Sequence, residues 1–313
     1  MFNGLEFEEE LERIEEELRE YETKTQHQEH KVDKSLKQTS KSTGITRVST
    51  GILELDQALE GGIPKGSWVA ITGEPGTGKS ILCMHFAWAG LKTGDPAVYI
   101  TTEAEFRDVI RQAKQFGMDF EQYNIYDISS SKEPQETPNI VVIDIFGLLR
   151  VAKQISETTS VDAEFVRKRR FAALYVKTLI ASIRKAYRIL GVLKEGGRSP
   201  IRHIRLIIDS MSAFWADKPA MARRYSYDLK VSTHRENVTA YLVSQYAMTT
   251  RSTFGFGLEH IADGVLHLWM DDVESSKEVR RYMIIKKMRM TNHERHAFKL
   301  DIVPDKGVVL SPL

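Results

Sequence analysis

Gly73-Glu74-Pro75-Gly76-Thr77-Gly78-Lys79-Ser80 is the stretch on which the reading of this chain turns. It follows the apolar run Trp68-Val69-Ala70-Ile71-Thr72, predicted as a strand, and leads into a helix predicted over Ser80–Lys92. The letters satisfy G-x-x-x-x-G-K-[ST] in full, and they do so in the strand-loop-helix setting the motif requires. Glycines let such a loop curl until successive backbone N–H groups point at phosphate oxygens, and the helix N-terminus adds a favourable dipole. Gly73 through Ile81 are therefore the expected phosphate contacts. Lys79 would reach the β- and γ-phosphates of a bound ATP, and the Ser80 hydroxyl would ligate Mg²⁺.

Working outward, the chain alternates short β-rich runs with longer helical ones. Strands are predicted at Ala97–Thr101, Asn139–Ile145, His203–Asp209, Ala240–Ser244, Gly264–Trp269 and Arg281–Lys286. Helices are predicted at Phe106–Phe116, from about Val161 to Leu190, and at Met221–Arg235. This alternation predicts an α/β fold with a largely parallel sheet covered by helices on both faces. A second group on the Mg²⁺ should be an acid at the end of a buried strand. Leu206-Ile207-Ile208-Asp209 and Val141-Val142-Ile143-Asp144 both qualify, and the pattern alone does not separate them. Asp209 is favoured because Ser210 follows it and a long helix precedes its strand, an arrangement similar to that of recombinase-type ATPases. Asp144 is then read as a strand-end residue with a capping role.

Hydrolysis also needs a base for the attacking water. Tyr99-Ile100-Thr101-Thr102-Glu103 places Glu103 just past a strand expected to neighbour the phosphate loop, with Glu105 as the weaker candidate. Gln245, after the strand ending Leu242-Val243-Ser244, is placed to sense the γ-phosphate through its amide.

The stretch Thr50-Gly51-Ile52, Leu55-Asp56 and Leu59-Glu60-Gly61-Gly62-Ile63-Pro64-Lys65-Gly66 resembles the opening of the KaiC-like and archaeal RadA-paralogue ATPases of the RecA superfamily. Segments 255–264 and 287–293 resemble the closing KaiC segments, and the similarity runs in order from about Gly44 to Leu310. The resemblance implies a RecA-like P-loop core, ATP with Mg²⁺, and a homo-oligomer, usually a hexameric ring, with nucleotide between subunits. It further implies that Lys287, Arg289 and His293 act in trans on a neighbour's phosphates. Three departures stand out. Glu103 is followed by Ala104 rather than a second glutamate, the position of the clock protein's phosphorylated Ser-Thr pair holds Glu259 and His260, and there is one P-loop rather than two. The segment 129–202, with Arg167-Lys168-Arg169-Arg170, is expanded relative to the family core.

The 313 residues suffice for one large or two ordinary domains of roughly 100–200 residues. The single cysteine, Cys83, forms no intrachain bridge. No secretory signal is evident, and no run approaches the roughly 18–20 apolar residues of a membrane span, so cytoplasm is the expected compartment and no membrane partner is expected. Charge is uneven. Residues 1–30 hold eleven Glu against Arg13, Arg19 and Lys24, so an arm of charge −8 precedes a body of +9. Phe7, Leu11, Ile14, Leu18 and Tyr21 form a narrow apolar seam, which predicts an amphipathic helix over 1–22 suited to a protein partner. A polar linker is expected over 23–43 and the ATPase domain over 44–313.

Two functional readings follow. One is an Mg²⁺-dependent ATPase that modulates DNA recombination or repair, with Arg251, Phe254 and Phe256 in a loop able to contact single-stranded or double-stranded DNA. The other is a nucleotide-dependent oligomeric scaffold or signalling switch with little turnover, with kinase activity as a further variant.

Overall fold

The computed structural model describes residues 44–130, 132–146, 171–192, 203–211, 219–245, 258–271 and 277–313. The expected acidic helix, the polar linker, the cluster Arg167–Arg170 and the loop bearing Arg251, Phe254 and Phe256 lie outside them. The first described elements are a two-residue strand β1 (Arg47–Val48), a short helix α1 (Leu53–Ala58) and β2 (Ile63–Pro64), which pairs antiparallel with β1. Then come β3 (Trp68–Gly73), α2 (Lys79–Thr93), β4 (Ala97–Thr101), α3 (Phe106–Gln115), β5 (Ile125–Asp127) and β6 (Ile140–Asp144). After α4 (Phe171–Ile189), β7 (Ile204–Asp209), α5 (Pro219–Thr233) and β8 (Val238–Gln245), the four-residue helix α6 (Leu258–Ile261) leads into β9 (Gly264–Met270). The chain closes with β10 (Arg281–Met288), β11 (Phe298–Val303) and β12 (Gly307–Pro312).

Ten of these strands form one sheet in the order β12-β11-β10-β9-β3-β8-β7-β4-β6-β5. From β5 across to β9 every pairing is parallel, and β10, β11 and β12 add an antiparallel edge. The parallel strands are buried on both faces, as Trp68-Val69-Ala70-Ile71 and Ala97-Val98-Tyr99-Ile100 show. Alternation sends neighbours to opposite layers. Val69, Ile71 and Tyr99 join Phe86 and Met84 of α2 in one core cluster, whereas Trp68, Ala70 and Val98 join Ile183 and Tyr187 of α4 and Leu229 of α5 in the other. The sequence reading anticipated two closing strands, and the structure has four from β9 onward. In β11, Phe-Lys-Leu-Asp-Ile-Val, only Phe298 and Leu300 are buried.

At the end of the sheet remote from the phosphate loop, a charged network is buried. Arg205 of β7, 2% exposed, donates through Nε and Nη2 to Asp95 Oδ2, each at 3.3 Å. It also donates through Nη1 to the carbonyls of Ser49 and Phe86, and its guanidinium lies 4.7 Å from the centroid of the Phe86 ring. His203 bridges Asp95 Oδ2 (3.0 Å) and Thr239 Oγ1 (2.9 Å). Gly90, inside α2, makes room for Arg205, since a Cβ there would strike the arginine Cδ and Nε.

His85 ties α2 to the C-terminal hairpin: its Nε2 accepts the Val308 N–H at 3.0 Å. Burial pushes this imidazole down to about 4, assisted by the charge of Lys92 and opposed by a hydrogen bond to the Gly51 backbone. An unfolded chain protonates the ring near pH 6.5 and the folded one only near pH 4. The stabilisation is therefore complete above 6.5 and is lost as pH falls through 4, with a ceiling of about 3 kcal/mol. His85→Gln retains an acceptor and does not titrate. Its melting temperature should fall less on acidification from about pH 7 to about pH 4.5 than that of the wild type. Equal declines in the two proteins would remove His85 as the cause.

Candidate functional site

The phosphate loop leaves β3 at Gly73, whose φ is +150°. A Cβ at this position would run into the Leu268 carbonyl of the adjacent β9, so the strand pairing itself demands glycine. The loop is braced from within by the Thr77 hydroxyl, which donates to the Glu74 carbonyl at 2.8 Å. Gly78 then enters α2 in the left-handed region, at φ +100°. Ile81 is buried against the core, and its N–H donates to the Gly78 carbonyl at 3.0 Å. Lys79 is 7% exposed, and its Nζ donates to the carbonyls of Gly73 (2.9 Å) and Glu74 (2.6 Å). Burial lowers its ammonium to about 8 against the opposing pull of Asp209 and Glu103.

Sheet order places the two acids differently. Asp209 ends β7, and the Ser80 hydroxyl lies near enough to its carboxylate to pull its pKa down. Burial raises that carboxyl to about 6; the Ser80 hydrogen bond lowers it, the Glu103 charge raises it and Lys79 lowers it. Asp144 ends β6, two strands further out, where its Oδ2 accepts the Phe106 N–H of α3 at 2.9 Å.

Glu103 requires a correction. Its strand, β4, was expected beside the phosphate-loop strand, but β8 and β7 separate it from β3. In this sheet β3 is flanked by β8 and β9, which come late in the chain, so sequence adjacency misleads. Glu103 still reaches the site, because β4 pairs with β7 so that Thr101 stands opposite Asp209, and the Thr102 N–H donates to the Asp209 carbonyl at 3.0 Å. Ser80, Thr101, Glu103 and Asp209 line one cavity of about 530 Å³, completed by Asp108, Arg111 and other residues of α3. Glu105 instead pairs with Arg107 at 2.6 Å, at the N-terminus of α3.

The other sequence candidates distribute as follows. Gln245 ends β8 with its backbone in register with Gly73. Lys287 Nζ donates to the carbonyls of Ala262 (2.6 Å) and Glu259 (3.3 Å), and burial lowers its ammonium. Arg289, 58% exposed, pairs with Asp263 at 3.2 Å, and the exposed His293 lies 2.8 Å from the Glu294 carbonyl. None of these three contacts the phosphate loop of its own chain through a hydrogen bond or ion pair among the described residues. Arg281, by contrast, was not anticipated: from the start of β10 its Nε donates to the Gly76 carbonyl at 2.9 Å. Ser210 was noted only as a neighbour of Asp209, yet its hydroxyl donates to Glu103 Oε1 at 2.6 Å. A lone arginine on a strand and a serine after an aspartate carry no sequence signal of such contacts.

The donor set fits a hard divalent cation. A hydroxyl and a half-buried carboxylate line one cavity, a second carboxylate there raises the pKa of the first, and Mg²⁺ is commonly held by one or two protein oxygens with phosphates and water completing its shell. Among the described residues no group of three or more His, Cys, Asp or Glu could hold a metal, so the arrangement is not that of an all-protein cage.

Comparison with known proteins agrees with this geometry. The sequence profile of the KaiC ATPases matches residues 48–137 and 192–313. A UPF0273 protein of Methanopyrus kandleri is 32% identical over 262 residues, covering 82% of this chain and 89% of that protein. A UPF0273 protein of Thermotoga maritima is 31% identical over 260 residues, covering 82% and 93% respectively. The crystal structure of a KaiC-like protein from Pyrococcus horikoshii matches with a TM-score of 0.60 and 26% identity, over 86% of this chain and 100% of that one. A phosphate loop, a strand-end aspartate lining one cavity with Ser80 and a colinear match on both sides of residues 138–191 lead to one assignment: the chain belongs to the KaiC ATPase family.

Proposed function

We propose that this protein binds ATP with Mg²⁺ at the loop Gly73–Ser80 and hydrolyses it to ADP and phosphate, with Glu103 as the base. The observation that carries the reading is the convergence of Ser80, Asp209 and Glu103 on one cavity, from three elements far apart in the chain. Loop N–H groups and Lys79 would bind the phosphates, while Ser80 and Asp209 would hold the metal. Mg²⁺ held there would supply charge neutralisation to the transferring phosphate. Glu103 orients a water and accepts its proton as the water oxygen bonds to the γ-phosphorus; the bond from that phosphorus to the bridging oxygen breaks, and its electron pair leaves with ADP.

Assembly into a homo-oligomer belongs to the same proposal. Arg289 is more than half exposed, which suits a guanidinium presented to a neighbouring copy, with Lys287 and His293 on the same segment. Its pairing with Asp263 would have to open for that role.

The test measures phosphate release by assembled protein with and without Mg²⁺. Wild-type turnover that requires Mg²⁺ and drops about 100-fold or more in Glu103→Gln, with nucleotide still bound, supports the proposal. Tight ATP binding with no release by the wild type would replace it with the scaffold or switch reading. Repeating the assay with single-stranded DNA over a salt series decides the recombination branch, since stimulation through phosphate contacts must fade as salt rises.

A further inference from the structure

We propose that Ser210 is a positioning residue for turnover, whose hydroxyl fixes the direction of the Glu103 carboxylate; this rests on the reading of Glu103 as the base. The Ser210 hydroxyl donates to Glu103 Oε1 at 2.6 Å, a short bond of the kind expected when the acceptor is ionised. Ser210 itself has little freedom, being 1% exposed. Its N–H donates to Thr102 Oγ1 at 2.9 Å, and the same threonine hydroxyl lies 2.9 Å from the Ser210 carbonyl, to which it donates. With the Thr102 N–H on the Asp209 carbonyl, these contacts clip the exit of β4 to the exit of β7.

The far side of the same turn is fixed as well. Thr101 Oγ1 donates to the Ala104 carbonyl at 2.6 Å, and Asp144 holds the Phe106 N–H. Glu103 thus stands on a turn anchored to three strands, β4, β6 and β7. Its side chain nevertheless has three rotatable torsions, and an anchored backbone does not set them. A general base acts only from within hydrogen-bond reach of the proton it takes, and misplacement by about 1 Å can cost about 100-fold in rate. A hydroxyl seated in the wall of the site and bonded to one carboxylate oxygen orients the other. The same wall carries Asp209, so the metal side and the base side of the site share one strand end.

The experiment uses the full chain in its assembled state and compares wild type, Ser210→Ala, Ser210→Thr, Glu103→Gln and the double variant Ser210→Ala/Glu103→Gln. It reads single-turnover hydrolysis and, separately, Mg-nucleotide affinity. Ser210→Ala should slow hydrolysis about 10- to 100-fold with affinity changed less than about 2-fold, and Ser210→Thr should recover most of the rate. In the Glu103→Gln background the loss of Ser210 should have no further effect, because a residue acting through another cannot be lost twice. Additive losses, or an affinity defect that accounts for the rate defect, overturn the proposal. So does a wild-type rate in Ser210→Ala when Glu103→Gln is slow, a result that leaves the base assignment standing. A near-wild-type rate in Glu103→Gln instead removes the base assignment and this proposal with it. If Ser210→Ala does not fold, Ser210→Cys, a weaker donor of similar size, is judged by the same comparisons.

Discussion

Asp209→Asn should make the nucleotide-free protein more stable and at the same time abolish its stabilisation by Mg-nucleotide. Burial holds the Asp209 carboxyl at about 6 rather than 3.8, with the Glu103 charge also pushing upward. Because the folded pKa is raised, the folded state takes up this proton first, and the residue's contribution to stability worsens as pH rises from 3.8 through 6. At neutral pH the ionised side chain costs on the order of 3 kcal/mol. Asparagine is nearly isosteric, carries no charge and can still accept from Ser80. Lys79 loses the strongest of its three carboxylate neighbours, which takes back part of the gain, so the net stabilisation should be on the order of 1 kcal/mol, or about 2–4 °C in melting temperature. Without the carboxylate the metal loses its charged ligand, and turnover should drop at least about 100-fold. The comparison is a pair of thermal unfolding curves for each protein, with and without Mg-ATP. A variant that melts lower than wild type when nucleotide-free, or that gains as much as wild type from Mg-ATP, contradicts the account. Opposite signs for stability and function would mark Asp209 as a residue retained for function at the expense of stability.

The second large effect lies at the other end of the sheet. Asp95→Ala should destabilise the protein by about 3–5 kcal/mol, because it strands the guanidinium of Arg205 and leaves His203 without its carboxylate. Breaking one side of a buried pair costs more than the pair contributes, since the remaining charge cannot return to water. Asp95 is itself 21% exposed along its side chain, so some solvent can enter and the lower end of that range is expected. Melting temperature should fall on the order of 10 °C, while hydrolysis per folded molecule is unchanged. Asp95→Asn keeps an acceptor for both partners and should cost less than half as much. A fall of only a degree or two in Asp95→Ala would show that the network contributes little.

How much of this was legible in the sequence depended on whether a residue's role is local. The loop Gly73–Ser80 was legible because phosphate binding by backbone N–H groups requires glycine, lysine and a hydroxyl at fixed spacing within eight residues. The parallel strands were legible because burial on both faces leaves uninterrupted apolar runs such as Ile140–Ile143. Strand order was not, since nothing within Ala97–Thr101 records that it pairs with β7 rather than β3. For the same reason Asp144 and Asp209 are alike by pattern, whereas in the sheet only Asp209 lines the cavity beside Ser80 and Asp144 accepts the Phe106 N–H. Arg281 and Ser210 act across pairs of elements, so neither lies in a motif. The edge strands β11 and β12 were missed because one of them buries only two of its six residues.

The strand that carries the phosphate loop is paired on one side with residues 240–245 and on the other with residues 264–268. Neither neighbour exists until well over a hundred further residues have been added after β3. At roughly 5–20 residues per second, β3 waits about 10–30 s between its own synthesis and that of its first partner. The nucleotide pocket is thus completed long after its phosphate loop has been made, and a nucleotide can serve as a ligand only for chains whose synthesis has passed residue 268.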